Sequence, residues 1–283
     1  MISKNVSHVL DKIQEAIDTF SLCTKEQSIC VAFSGGKDSM VLLDALQNLG
    51  YNVTGLFVDE GIYPYRKDSF EDIELFCKEK KIEYKKISFQ EEFDFTMDEV
   101  VALKKYHPCT VCGTLRRYLL NKYSSDFDRI ATGHNIEDEA TTIMINMCRG
   151  NTDLFYRLGA KNKPHKLFTQ KIKPLYFLDE DELELYAKEK NMIIKSGICP
   201  NSAVSYRWTM KHKLREDQKT NPNIKQNIVN TYNKLLTNVR EEQEINPNNQ
   251  SKINQCLECG QASQEKVCKT CQFIKEIKTL LRK

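Results

Sequence analysis

Apolar residues in this chain gather into short runs, and between the runs they recur at every third or fourth position. The runs occupy 28–33 (SICVAF), 52–59 (NVTGLFVD), 82–89 and 128–134, with a weaker one at 192–196. Segments of helical period fill the intervals at 38–49, 67–80, 111–123, 137–148 and 179–189. Short apolar runs bounded by turn residues read as buried strands. Their alternation with helices predicts an α/β fold built on a doubly wound parallel sheet. Ligands of such sheets bind beyond the carboxyl ends of the strands. Three polar turns fall there: Gly35-Gly36, Asp59-Glu60-Gly61 and Gly133-His134-Asn135.

The rest of the chain divides by pattern. Residues 1–24 read as an amphipathic N-terminal helix, 25–204 as the α/β domain and 205–240 as a basic helical segment. Residues 241–254, polar with a Pro and an Asn cluster, read as a linker, and 255–283 as a separate small module. No signal peptide is expected, because no apolar stretch follows the first helix, and no run is long enough to span a bilayer. The expectation is a soluble cytoplasmic protein. Eleven cysteines in that compartment point to metal ligation before disulfides.

The net charge of +3 hides local bias. Residues 205–240 carry eight Lys/Arg against Glu216 and Asp217, while 161–173 and 104–122 each carry five basic residues and no acid. Three such segments suit a polyanion, nucleic acid above all, and a solvated Lys-rich surface would look the same.

Chemistry concentrates at Ser34-Gly35-Gly36-Lys37-Asp38-Ser39, between the first strand and the first long helix of the sheet. Two glycines let backbone approach an anion, the helix N-terminus favours phosphate, and Lys37 adds a positive charge. The spacing is not that of a Walker A loop. It resembles the PP-loop of ATP pyrophosphatases, which split ATP into AMP and pyrophosphate.

Cysteines form two further sets. Cys256-x2-Cys259 and Cys268-x2-Cys271 are two knuckles suited to one tetrahedral ion, a zinc ribbon, with a rubredoxin-type iron site sharing the spacing. Four sulfurs leave zinc no open position, so this site reads as structural. His107-Pro108-Cys109-Thr110-Val111-Cys112-Gly113 opens a helix, where lowered thiol pKa values and metal affinity are expected. Cys199 lies in a comparable loop. Three thiolates would hold three corners of a 4Fe–4S cluster and leave one iron open, and a CxxC pair working through a disulfide or persulfide fits the spacing equally well. Cys23, Cys30, Cys77 and Cys148 read as core thiols, and Trp208 as core.

In sum the chain resembles the TtcA/TtuA-type tRNA thiolation enzymes, and most closely their archaeal and eukaryotic cytosolic 2-thiouridine branch. The resemblance rests on SGGKDS at 34–39, VDEGIYPYRKDS at 58–69, CTVCGTLRRYLLN at 109–121, TGHNIEDEATT at 132–142, CRGN at 148–151, KPLYFLDEDEL at 173–183 and CPNSAVSYR at 199–207. It implies that Ser34, Gly35, Gly36, Lys37, Asp38 and Ser39 cradle the phosphates of ATP. Phe57 and Val58 would lie beside the adenine, and Gly133 and His134 would line the pocket. Asp38 and Asp138 would place Mg2+ or catalytic charge, and Arg116 would stabilise the leaving phosphate. Cys109, Cys112 and Cys199 take the positions of a 4Fe–4S cluster, and Cys256, Cys259, Cys268 and Cys271 those of zinc. The implied activity is ATP-dependent 2-thiouridine synthesis on tRNA: the base carbonyl is adenylated and its oxygen replaced by sulfur. Sulfide, a persulfide or a ubiquitin-like thiocarboxylate would supply the sulfur, and a homodimer is a family expectation. One departure is plain, for TtuA-type relatives carry a zinc ribbon where residues 1–20 here form a helix without cysteine. Other readings of the residues are a PP-loop ligase or amidotransferase acting on a small molecule, a thiolase using a CxxC persulfide without a cluster, and a non-catalytic RNA-binding scaffold.

Overall fold

The computed structural model describes residues 3–245, apart from 195, 196, 198, 203 and 204, and residues 253–282. Helix α1 (Lys4–Phe20) precedes β1 (Ser28–Phe33), α2 (Lys37–Asn48), β2 (Asn52–Asp59), α3 (Tyr65–Lys80) and β3 (Tyr84–Ser88). The short helices α4 (Phe89–Phe93) and α5 (Met97–Ala102) lead to α6 (Pro108–Tyr123), β4 (Arg129–Thr132) and α7 (Ile136–Cys148). Then come α8 (Thr152–Phe155), β5 (Gln170–Ile172), α9 (Glu180–Glu189), α10 (Tyr206–Gln218) and α11 (Ile224–Ile245). The terminal module holds the ribbon β6 (Asn254–Gln255) and β7 (Ala262–Ser263), followed by α12 (Lys269–Leu281).

Five strands form one parallel sheet in the order β3-β2-β1-β4-β5. Chain order reverses direction beside β1, since β2 lies on one side of it and β4 on the other. The turns after β1 and β4 therefore open on the crevice where ligands of doubly wound sheets bind. Side chains alternate between two cores. Ile29, Val31 and Phe33 of β1 face a core shared with α1, α2, α3, α7 and α9, whereas Cys30 faces a second core built by Phe93, Val111, Leu115 and Leu119. Burial on both faces is what an all-parallel sheet requires. Phe273 and Ile277 of α12 belong to that second core, so the terminal helix closes the outer side of α6.

The fifth strand is Gln170–Ile172, not 192–196. It is a three-residue edge strand with a lysine at its centre, a form that blunts an exposed edge and leaves no apolar run to read. Residues 192–194 are not in a strand, and 195 and 196 lie outside the described residues. Helix α11 continues to Ile245, into the segment read as linker, whose Glu-rich start has good helix propensity. Cys23, Cys30 and Cys77 are buried, but Cys148, the last residue of α7, is exposed. Trp208 is half-buried against His212, with ring centroids 4.2 Å apart, and is not a core residue. No helix among the described residues is long and apolar enough to cross a membrane.

Candidate active site

The turn after β1 is preformed by its own hydroxyls. Ser34 N donates to Ser39 Oγ at 3.1 Å, Gly36 N donates to Ser34 Oγ at 3.3 Å, and Ser39 Oγ donates to the Gly36 carbonyl at 2.8 Å. Gly35 takes φ +77°, in the left-handed region, and a Cβ there would stand 2.9 Å from the Ser69 carbonyl oxygen. The glycine is required twice over. Gly36 caps α2 and its carbonyl accepts from Ser39 N and Met40 N, so the amides of Lys37 and Asp38 precede the first bonds of the helix.

The turn after β4 meets this one. A Cβ on Gly133 would lie 3.0 Å from Ser39 N and 3.1 Å from the carbonyl carbon of Asp38. The neighbours are backbone atoms at the start of α2, so relief must come from moving that turn. Gly133→Ala is expected to raise the KM for ATP at least tenfold and to cost about 1–3 kcal/mol of stability. Steady-state kinetics with a thermal melt check both, and unchanged values would refute the close approach.

Asn135, fully buried, joins the two turns: its Nδ2 donates to Asp38 Oδ2 at 3.1 Å and its Oδ1 accepts from Asp138 N at 3.1 Å. Asp38 and Asp138 thus face each other across the crevice. Burial pushes the Asp38 carboxyl up from 3.8 to about 6; Lys37 opposes the rise, and Asp138 and Glu180 add to it. Asp138 is held below the ordinary value: burial works to raise it, but the positive charge around it, Arg207 and Lys211 included, prevails. Arg207 Nη2 reaches Asp138 Oδ1 at 3.0 Å. The His134 imidazole stays neutral, because burial and the nearby Lys171 and Lys173 lower its pKa well below the usual range. Its Nδ1 meets Thr132 Oγ1 at 2.9 Å, a side chain, not backbone. The Lys37 ammonium rests on the Glu180 carbonyl at 3.0 Å and lies 3.3 Å from Asp38 Oδ1.

Because its folded pKa lies above the unfolded value of 3.8, ionised Asp38 destabilises the ligand-free protein. The penalty is absent below the unfolded pKa, grows as pH rises to about 6, and is complete above that. Asp38→Asn should therefore stabilise the ligand-free protein by about 2–3 kcal/mol at pH 8, with the gain vanishing near pH 4. Urea unfolding across that range checks it, and a gain independent of pH would show that charge is not the cause.

The thiols lie one layer further. Pro108 opens α6 and places Cys109 and Cys112 in its first two turns. Cys109 Sγ donates to the Asn201 carbonyl at 3.3 Å, which brings the loop carrying Cys199 against the helix. Cys199 is near enough to raise the pKa of both other thiols. The lowered thiol pKa expected at this helix N-terminus is not found. Burial raises Cys109, and burial followed by Glu60 pushes Cys112 up to about 12. Loss of water outweighs the helix end, so thiolates here need a cation of their own.

The two sulfur sets differ in spread. Cys256 and Cys271 Sγ are 3.9 Å apart, and Cys259 and Cys268 Sγ 3.7 Å. Sulfurs at about 2.3 Å from one tetrahedral ion stand about 3.8 Å apart, so the terminal four fit a single ion. Among the described residues they are the set that lies within 4.8 Å of one another; Cys109, Cys112 and Cys199 do not close to that size. A wider group carrying several metal ions suits those three, one thiolate to each ion.

Between nucleotide turn and thiols runs an ion network that the sequence did not disclose. Glu60 has 0% exposure; Arg66 Nη2 donates to its Oε1 at 2.9 Å and Arg116 Nη1 to the same oxygen at 3.2 Å. Arg66 Nη1 also donates to the Ser34 carbonyl at 2.9 Å. The Arg66 side chain is 4% exposed and that of Arg116 45%, so Arg116 is the one free to turn toward a substrate. Phe57 and Val58 lie buried near the end of β2, with backbone on the same crevice edge. Cavities of about 660 and 370 Å3 lie elsewhere, between α6 and the terminal module, sharing Asn121, Phe168 and Gln261.

Several basic residues of the three segments are engaged within the protein. Arg207, Lys211, Arg215 and Lys225 pair with Asp138, Glu137, Glu180 and Asp179, and Lys105, Lys122 and Lys173 pair with Glu276, Glu92 and Glu139. The count of charges in sequence overstated the free positive surface.

A parallel sheet with a glycine turn at its switch point and thiols beside it defines a nucleotide-binding α/β enzyme. A family model described as "PP-loop domain" matches residues 5–195, and the chain belongs to the PP-loop family, among the TtcA/TtuA-type tRNA thiolation enzymes. It is similar to the tRNA-5-methyluridine(54) 2-sulfurtransferase of Pyrococcus horikoshii, 33% identical over 93% of this chain and 83% of that one. It is also similar to cytoplasmic tRNA 2-thiolation protein 1 of Drosophila mojavensis, 30% identical over 93% of this chain and 78% of the other. Among solved structures it resembles the U34-tRNA thiolase NcsA from Methanococcus maripaludis with its 4Fe–4S cluster. The TM-score is 0.73 and the identity 32%, covering 82% of this chain and 80% of that chain.

Proposed function

We propose that this chain is an ATP-dependent tRNA uridine thiolase of the cytoplasm that forms 2-thiouridine, AMP and pyrophosphate. The observation that carries the reading is the network from the Ser34 carbonyl through Arg66 and Glu60 to Arg116, whose charge acts on Cys109 and Cys112. A base bound between them would have an activating phosphate on one side and a sulfur source on the other.

In this reading Ser34, Gly35, Gly36, Lys37 and Ser39 hold the ATP phosphates, with first-turn amides of α2 aimed at developing negative charge. The base carbonyl oxygen attacks the α-phosphorus and pyrophosphate leaves. Hydrosulfide then adds to the ring carbon, and AMP departs with the former carbonyl oxygen. Lys37 exchanges its Glu180 carbonyl contact for phosphate, and Arg116 turns toward the departing AMP. Neutral His134 and the backbone of Phe57 and Val58 line the nucleotide pocket. Asp38 and Asp138 would hold Mg2+, whose charge offsets their mutual repulsion. Cys109, Cys112 and Cys199 would hold a 4Fe–4S cluster, which when bound supplies an iron free of protein ligands for sulfide. Cys256, Cys259, Cys268 and Cys271 would hold Zn2+ as a brace. The sulfur enters as sulfide, by hydrolysis of a ubiquitin-like thiocarboxylate, or from a persulfide together with a thiol that takes up its inner sulfur in a disulfide as hydrosulfide is released.

Three thiols of this kind have no use in a small-molecule ligase or amidotransferase. The test is anaerobic incubation of the iron-loaded protein with tRNA, ATP and sulfide. Pyrophosphate release should depend on tRNA, and thiolated tRNA should be retarded in a mercury gel. Pyrophosphate release without any thiolated product would overturn the assignment.

A further inference from the structure

Once internal ion pairs are set aside, Lys171 and Arg117 of the basic segments stand beside the active site without counterions among the described residues. Lys171 lies at the centre of the edge strand β5, opposite Ile130 of β4. Its ammonium forms no ion pair or hydrogen bond among the described residues. The charges acting on it are Lys173, Glu139, Arg117 and Arg207, and it acts in turn on His134. Glu139, the one carboxylate of that group, is taken by Lys173 at 2.6 Å. Arg207 is taken by Asp138 and Thr142. Arg117 lies on α6, close enough to interact with Cys112, and its guanidinium crosses Gly113 without an acid among the described residues. Lys171 and Arg117 thus span the gap between the thiol helix and the turn carrying His134.

We propose that Lys171, flanked by Arg117 and Arg207, binds a backbone phosphate of the RNA next to the base being thiolated, an assignment that rests on the reading of the chain as an RNA thiolase. Like charges held together in a half-buried place repel unless an anion joins them, and burial with Lys173 beside it already lowers the Lys171 pKa to about 8. The phosphates of ATP have their own cradle after β1, on the far side of β4 from Lys171. Outward from the cations the surface continues as a groove. Arg117 lines the 370 Å3 cavity, Lys166 lines the 660 Å3 cavity, and both include Phe168, whose side is 43% exposed. Unpaired cations followed by an exposed aromatic ring match single-stranded nucleic acid, whose phosphates need charge and whose bases need a stacking face.

The test compares wild-type, Lys171→Gln and Lys171→Arg full-length, iron-loaded protein in tRNA binding across salt concentrations and in steady-state kinetics. Lys171→Gln should weaken tRNA binding about tenfold and reduce the slope of log affinity against log salt by about 0.7–0.9, one phosphate contact. Lys171→Arg, still charged, should stay within about threefold of wild type. Thermal melting of Lys171→Gln should equal or exceed that of wild type, since repulsion is removed; a merely structural lysine would give a lower melt and no change in slope. An equal rise in the KM for ATP would assign the cation to the nucleotide and overturn the proposal, as would unchanged tRNA affinity and slope. If wild-type protein neither binds nor thiolates tRNA, the parent reading falls; if it does both and Lys171→Gln matches it, this assignment alone falls.

Discussion

Glu60→Gln is expected to cost about 3–5 kcal/mol of folding free energy, the range found when one member of a buried ion pair is removed. Arg66 is nearly as buried as Glu60 and would be left with a charge answered only by neutral acceptors such as the Ser34 carbonyl and the new amide oxygen. The damage should spread in two directions. Loss of the Arg66 anchor loosens the carbonyl end of β1, where the glycine turn begins, and loss of the Arg116 anchor frees a guanidinium beside Cys112. Urea unfolding gives the magnitude, and the KM for ATP reports the turn. Arg116→Ala, which removes a half-exposed partner, should cost only about 1 kcal/mol while still lowering thiolation. A loss below about 1 kcal/mol for Glu60→Gln would show that the network is not what fixes these segments.

Changing any one of Cys109, Cys112 or Cys199 to Ser is expected to lower thiolation by at least about a thousandfold, some 4 kcal/mol in the barrier. The fold should survive, because each substitution exchanges a half-buried sulfur for a smaller oxygen and no disulfide is lost. Iron and sulfide content should drop, together with absorbance near ~400 nm. Melting temperature should move by no more than a few degrees (about 1 kcal/mol). A triple Ser variant, isolated free of iron, that still thiolated tRNA would end the cluster proposal. A variant that kept iron but lost activity would move the cysteine in question from metal ligand to persulfide carrier.

How much of this was legible follows from the kind of signal each part leaves. Strands β1 and β2 are apolar runs between turn residues, and their ends coincide with the pattern. The glycine turn and CxxC are local, so their placement at helix N-termini could be read directly. Cys199 could be joined to the other two by its comparable loop and by resemblance, not by spacing, and the structure brings its loop onto Cys109. Strand β5 escaped because a three-residue edge strand centred on lysine has no periodicity. The Glu60–Arg66–Arg116 network escaped because burial of a charge is a property of the packed chain; a Glu and an Arg six residues apart are commonplace. Asn135 was visible in its turn, but its bond to Asp38 depends on β1 and β4 being neighbours in the sheet. Counting lysines could not separate free from paired cations for the same reason, since sequence records charge and not the carboxylate that meets it.

The packing of Phe273 and Ile277 behind Leu115 and Leu119 has a consequence for the four C-terminal cysteines. The knot of four sulfurs lies at the start of α12, and α12 packs against the back of the helix that presents Cys109 and Cys112. Chelation or oxidation at the far end of the chain would therefore register as a slackened sulfur centre, and trimming off the last thirty or so residues would be a lesion of the catalytic core, not the loss of a tail.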